Sequence, residues 1–181
     1  LVLAPRGLDP RACLVVAERA GGLGVVDLGS ISGREAMSRS IESWQRAGVS
    51  RFGLQIAAPE HWGLLDGLTG LGALIAPAGL LLESGNPLAG IGTGVEVWAE
   101  VTRWSPDLER LPARVTGFIL KGHECSGLVS EQTTFILLQE FRRRTTKPLI
   151  ARGGITPVTA AAAAVAGARG VMLDDQIMLL P

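Results

Sequence analysis

The residue types able to do chemistry gather in two short segments. One is Lys121-Gly122-His123-Glu124-Cys125-Ser126-Gly127, the other Ala151-Arg152-Gly153-Gly154-Ile155. Each directly follows an apolar run, Gly117-Phe118-Ile119-Leu120 or Pro148-Leu149-Ile150. Polar and glycine residues just after a buried strand lie at the mouth of a parallel sheet, where strand C-termini and helix N-termini converge on ligands. The chemistry on offer is proton transfer by His123 or Glu124, thiol chemistry at Cys125 and anion binding at the glycine pair.

Each candidate has a competing structural reading. Gly153-Gly154 follows the seventh predicted strand, where a barrel builds a phosphate cup from backbone N–H groups; a tight turn needing positive φ also explains the pair. Asp174-Asp175 follows the eighth strand. Its carboxylates repel a phosphate there, or simply cap a following helix. His123, Glu124 and Cys125 are consecutive, so either His123 and Cys125 or Glu124 alone face the mouth. A Cys–His pair at that spacing has no assured hydrogen-bond contact and no orienting third group. His61 is the only other histidine and has no ligand cluster, so no metal site is expected. Arg6, after the first strand, either binds an anion or pairs with Asp27 or Asp174. Gly21-Gly22-Leu23-Gly24 precedes a strand, so it reads as a helix stop and not a dinucleotide fingerprint.

Alternating strands and helices must position these residues. Strands are predicted at 1–5, 24–28, 51–56, 71–76, 95–102, 115–120, 148–151 and 170–173. Helices are predicted at 9–20, 33–47, 60–68, 131–144 and 156–166, with a brief one opened by Ser105-Pro106-Asp107. Asp9-Pro10 and Thr156-Pro157 are N-cap signals. Met37, Ile41 and Trp44 share one helical face and belong to the core. Arg142-Arg143-Arg144 closes a helix, where cations suit the carbonyl end. The connection 79–94 is glycine-rich, with a short helix. Eight strands, each followed by a helix or a fragment of one, spell a compact (βα)8 TIM barrel with short loops; a doubly wound open sheet is the alternative.

Composition agrees. The chain has 181 residues, 47% of them hydrophobic and 19% charged, which favours a single domain over 1–181 with a sizeable core. Seventeen basic and seventeen acidic residues cancel, and no basic stripe with interleaved aromatics suggests nucleic acid. No apolar run is long enough for a membrane helix. Cys13 and Cys125 are too far apart in sequence for a metal spacing or a secreted framework, so a cytoplasmic protein is expected. The abrupt ends suggest a segment of a longer multidomain chain.

Taken together in order, Ala4-Pro5, Gly21-Gly22-Leu23-Gly24, Phe52-Gly53-Leu54, Gly122-His123-Glu124-Cys125-Ser126-Gly127, Ala151-Arg152-Gly153-Gly154-Ile155 and Ala166-Gly167-Ala168-Arg169-Gly170-Val171-Met172-Leu173 resemble the nitronate monooxygenase family, also called 2-nitropropane dioxygenase-like proteins. The resemblance implies an FMN-binding TIM barrel and an oxidoreductase. If flavin binds, Gln55, Lys121, Gly153 and Gly154 are its expected contacts, and His123 and Glu124 are the candidate catalytic groups. The departures fall on the site. The family's Met is Arg6 here, its strand 3 Asn is Gln55, its catalytic His is Leu128, and its flavin-phosphate Gly-Thr pair is Asp174-Asp175. Lys121-Gly122-His123-Glu124, the helix Thr133-Thr134-Phe135-Ile136-Leu137-Leu138-Gln139 and Leu173-Asp174-Asp175-Gln176 are similar to the variant carried by polyketide and polyunsaturated-fatty-acid-type synthases. That implies other synthase domains and an acyl carrier as partners. The substitutions lead to the expectation of a degenerate barrel without FMN in a structural or docking role; an active FMN-dependent oxidoreductase working on an acyl or polyketide intermediate is the alternative.

Overall fold

The computed structural model describes residues 1–83 and 88–179. Its strands are β1 Val2–Leu3, β2 Gly24–Asp27, β3 Phe52–Gln55, β4 Leu71–Pro77, β5 Glu96–Val101, β6 Val115–Lys121, β7 Leu149–Arg152 and β8 Gly170–Met172. All pair in parallel in sequence order. The ring closes where Leu3 N–H donates to Leu173 O at 2.8 Å and Leu173 N–H donates to Leu1 O at 3.0 Å. The expected TIM barrel is therefore present, and the open-sheet alternative is excluded.

Among the described residues, five α-helices cover the outside: α1 Pro10–Arg19, α2 Arg34–Arg46, α3 Ala78–Glu83, α4 Thr134–Arg142 and α5 Pro157–Val165. Elsewhere single 3₁₀ turns stand in for helices, at Pro59–Leu64, Pro106–Arg110 and Asp175–Leu179. The stretch predicted as a helix over 60–68 is the first of these. The cap signals hold. The Asp9 side chain accepts from Arg11 N, and Thr156 and Thr159 form a reciprocal capping box. Gly21 ends α1 at φ 74°, as the helix-stop reading requires. Part of the glycine-rich connection at 84–87 lies outside the described residues.

Strand alternation sorts the core into two compartments. One face of each strand packs outward against the helices, with Phe52, Leu54, Leu74, Phe118 and Leu120 meeting Trp44, Leu137, Leu138 and Phe141. Met37, Ile41 and Trp44 are buried there as expected. The other face fills the barrel with Leu3, Val25, Ala73, Ile75, Trp98, Ile119, Ile150 and Met172. Two residues further along β2, β3, β5, β6, β7 and the end of β8, the inward positions are Asp27, Gln55, Glu100, Lys121, Arg152 and Asp174. An apolar floor thus carries a polar layer directly above it, at the C-terminal end of the sheet.

Candidate functional site

That polar layer forms the bottom of an open cavity of about 1020 Å³ at the barrel mouth. Arg152 is its hub. Its Nη1 donates to Glu100 Oε2 at 2.5 Å and to Gln55 Oε1 at 3.2 Å, and its Nε donates to Asp174 Oδ2 at 3.3 Å. Lys121 Nζ stands 3.6 Å from Glu100 Oε1. The side chains of Arg152, Lys121 and Asp174 are 4%, 9% and 9% exposed, so charges this deep must be mutually compensated. Two cations and two carboxylates do so. Nearer the rim, Arg6 pairs with buried Asp27 at 2.6 Å, and Asp27 also accepts from Gly29 N. Of the readings open for Arg6, the pairing with Asp27 is the one observed. Hydrogen bonding, then the Asp27 charge, raises the Arg6 guanidinium pKa further above its ordinary value.

The loop after β6 is arranged differently from either alternation expected of it. None of His123, Glu124 and Cys125 lines the mouth cavity. Chain direction changes at Gly122, and alternation along the strand does not carry into the loop. A β-carbon at Gly122 would lie 2.1 Å from Thr134 Oγ1 and 2.3 Å from Thr134 N, so only glycine lets α4 approach so closely. Glu124 turns back to the start of α4. Its carboxylate accepts from Thr134 N at 3.0 Å and from Thr134 Oγ1 at 2.9 Å. Partial burial pushes this carboxyl up, but donation from its own backbone and from Thr134 prevails and holds it below the usual glutamate value. His123 is exposed, and its backbone N–H donates to Gln132 O. Cys125 is half-buried. Burial first, then the Asp174 charge, pushes its thiol up to about 12.

Gly153 and Gly154 have the positive φ expected of a tight turn, 111° and 61°. On the side where a β-carbon would project, Gly153 faces Cys125 Sγ and Thr134 Oγ1, and Gly154 faces the stem of Glu124. The pair lines a separate, mostly apolar pocket of about 330 Å³ with Leu138, Ala151, Ala162 and Ala163. The acidic pair after β8 divides between two environments. Asp174 points into the barrel and pairs with Arg152, while Asp175 accepts from Ser126 Oγ at 3.1 Å and opens a 3₁₀ turn. Of the flavin contacts implied by resemblance, Gln55 and Lys121 line the mouth and Gly153 and Gly154 do not. Leu128, at the family's base position, is 83% exposed at the cavity rim.

Sequence reasoning named Asp27 as a partner for Arg6 but missed Glu100 and the hub role of Arg152. A signal existed: each is a charged residue near the C-terminal end of a largely apolar strand, in phase with an inward hydrophobic residue two positions earlier. Among the described residues, no group of three or more His, Cys, Asp or Glu side chains is placed to hold a metal. Both cysteines are free. No helix among them is long and apolar enough to cross a membrane.

The fold is a (βα)8 barrel with a charged mouth, and known structures share the fold. FabK from Thermotoga maritima superposes with a TM-score of 0.75 at 24% identity, over 96% of this chain and 57% of that one. A point mutant of the same FabK gives 0.75 at 23% identity, over 98% and 62%. A native KDPGal structure gives 0.61 at 16% identity, over 95% and 81%. The chain thus spans little more than half the length of the FabK structure. No family model matches the sequence, and no curated protein does.

Proposed function

We propose that the chain is a nitronate-monooxygenase-like barrel domain of a polyketide or fatty-acid-type synthase, in which flavin chemistry has given way to a structural or docking role. Its partners are the other synthase domains and an acyl carrier. The FabK likeness across nearly the whole chain supports the barrel type. The observation that carries the rest is the fate of the phosphate end of the site. Asp175 and Ser126 line the mouth beside the position of the family's phosphate-binding pair, while the glycine pair lines a separate pocket with Glu124. These residues do not fit FMN, and no step is derived through it. Leu128 offers no proton acceptor where the family's base stands. General base catalysis contributes about 10²–10⁴-fold, so that loss alone silences proton abstraction.

Titration of the purified protein with FMN, followed by assay with an alkyl nitronate, tests the reading. Binding no tighter than millimolar and no turnover are expected. Deleting the barrel from its synthase should abolish product, and a barrel carrying His123→Ala should restore it. Micromolar FMN binding with nitronate turnover would overturn the proposal. It would favour the second reading, an FMN-dependent oxidoreductase acting on an acyl or polyketide intermediate. The size of the mouth cavity and the presence of Gln55 and Lys121 in its wall favour that second reading.

A further inference from the structure

Lys121 is an unusual lysine in this chain. Among 17 basic residues only Lys121 and Lys147 are lysines; the rest are arginines. Lys147 has an evident structural task, since its Nζ donates to Val115 O at 2.5 Å. Lys121 has none of that kind. Among the described residues no hydrogen bond reaches its Nζ, and its only ion-pair contact is Glu100 at 3.6 Å, beyond hydrogen-bond range. Glu100 is already committed to Arg152 at 2.5 Å. The side chain is nine-tenths buried, yet it lines the large mouth cavity. The loop after β6 passes over it, for a β-carbon at Gly127 would lie 3.6 Å from Nζ. The stem of Lys121 is enclosed while its amine opens to the cavity with hydrogen-bonding capacity that no side chain uses, so a ligand there can engage it.

The surroundings select the ligand's chemistry. The floor charges already balance, two cations against two carboxylates, so an ionic head group would leave one charge uncompensated in a buried site. An uncharged acceptor fits. The wall above is largely apolar, with Ile56, Ala78, Leu82, Val101, Leu108 and Leu128. A primary amine can condense with a carbonyl group, whereas arginine at the same position could never react. We propose that the mouth binds an aliphatic ketone or aldehyde, and that Lys121 condenses with its carbonyl group to form an imine.

The step balances with the residues present. Glu100, 3.6 Å from Nζ, accepts a proton from the Lys121 ammonium through one water of the open cavity. The neutral Nζ adds to the carbonyl carbon, forming the C–N bond while the C=O pair moves to oxygen. A proton shifts from nitrogen to that oxygen, giving a carbinolamine. Glu100 returns its proton to the hydroxyl, the C–O bond breaks, water leaves, and the protonated imine remains. No oxidant or reductant is consumed. This inference stands on the cavity and Lys121, and it does not depend on the docking role.

The test is trapping with cyanoborohydride, which reduces imines, using 2-octanone as the probe and peptide mapping as the readout. Modification should concentrate on Lys121 and spare Lys147, an internal comparison within the unaltered protein. Lys121→Arg, which keeps the cation beside Glu100, should abolish trapping at that position with little change in thermal melting. Glu100→Gln should slow trapping by about 10²-fold, the low end for a positioned acid–base group. Equal labelling of both lysines, or none at Lys121, would overturn the proposal. Unchanged trapping in Glu100→Gln would overturn the proton route.

Discussion

Two layers of the barrel interior, two residues apart along each strand, are built on opposite principles. The lower layer, with Trp98, Ile119, Ile150 and Met172, is apolar and close-packed. The upper layer, with Glu100, Lys121, Arg152 and Asp174, is largely enclosed but charged. The lower layer holds by area removed from water, and each side chain contributes largely by itself. The upper layer holds because each charge has a counter-charge, so its members depend on one another. The same backbone periodicity positions both. A barrel can therefore carry a reactive layer only over a floor that fixes the strands independently of it.

Four measurements break or sharpen that contrast. Trp98→Ala should have the largest effect, about 3–5 kcal/mol of stability lost in denaturant unfolding, because it opens a hole in the floor that the closed ring cannot collapse into. Arg152→Met should cost a similar amount, about 3–5 kcal/mol, for a different reason: it strands Asp174 as a buried, unpaired carboxylate and leaves Glu100 with Lys121 alone. A loss under about 1 kcal/mol would mean water reaches the layer, and the contrast between the layers would fail.

Smaller effects are expected in the loop after β6. Glu124→Ala should cost about 1 kcal/mol, the usual value of a carboxylate serving a helix N-terminus, seen as a modest fall in melting temperature. Its pH dependence has a definite sign. Because the folded carboxyl is held below the ordinary glutamate value of 4.5, its contribution is complete above that value and fades as pH falls through the lower folded pKa. A melting series in the native protein and in Glu124→Gln should converge in acid; parallel curves would remove the carboxylate from the account. The smallest effect is on reactivity alone. With its thiol pushed up to about 12, Cys125 should alkylate far more slowly at neutral pH than an ordinary thiol. Fast labelling by iodoacetamide would show that the loop opens away from Asp174.

The order of eight strands, the caps at Asp9 and Thr156, the Gly21 stop and the buried face of α2 were legible in the sequence. All depend on local signals: apolar periodicity, cap residues and glycine at positive φ. The location of the site at the strand C-termini was legible too, since it follows from parallel topology. The identity of the mouth residues was legible only in part. Gln55 and Lys121 end their strands and follow alternation into the barrel. His123, Glu124 and Cys125 lie beyond the strand end, where alternation no longer governs, and the close approach of α4 over Gly122 redirected Glu124 to Thr134. Asp174 and Asp175, adjacent in sequence, were separated into a buried partner of Arg152 and a surface partner of Ser126. The sequence alone determined the elements, the barrel and the end at which chemistry sits, because these follow from short-range periodicity. Only the tertiary structure decided which charges meet, because Gln55, Glu100, Arg152 and Asp174 come from four strands brought together by closure of the ring.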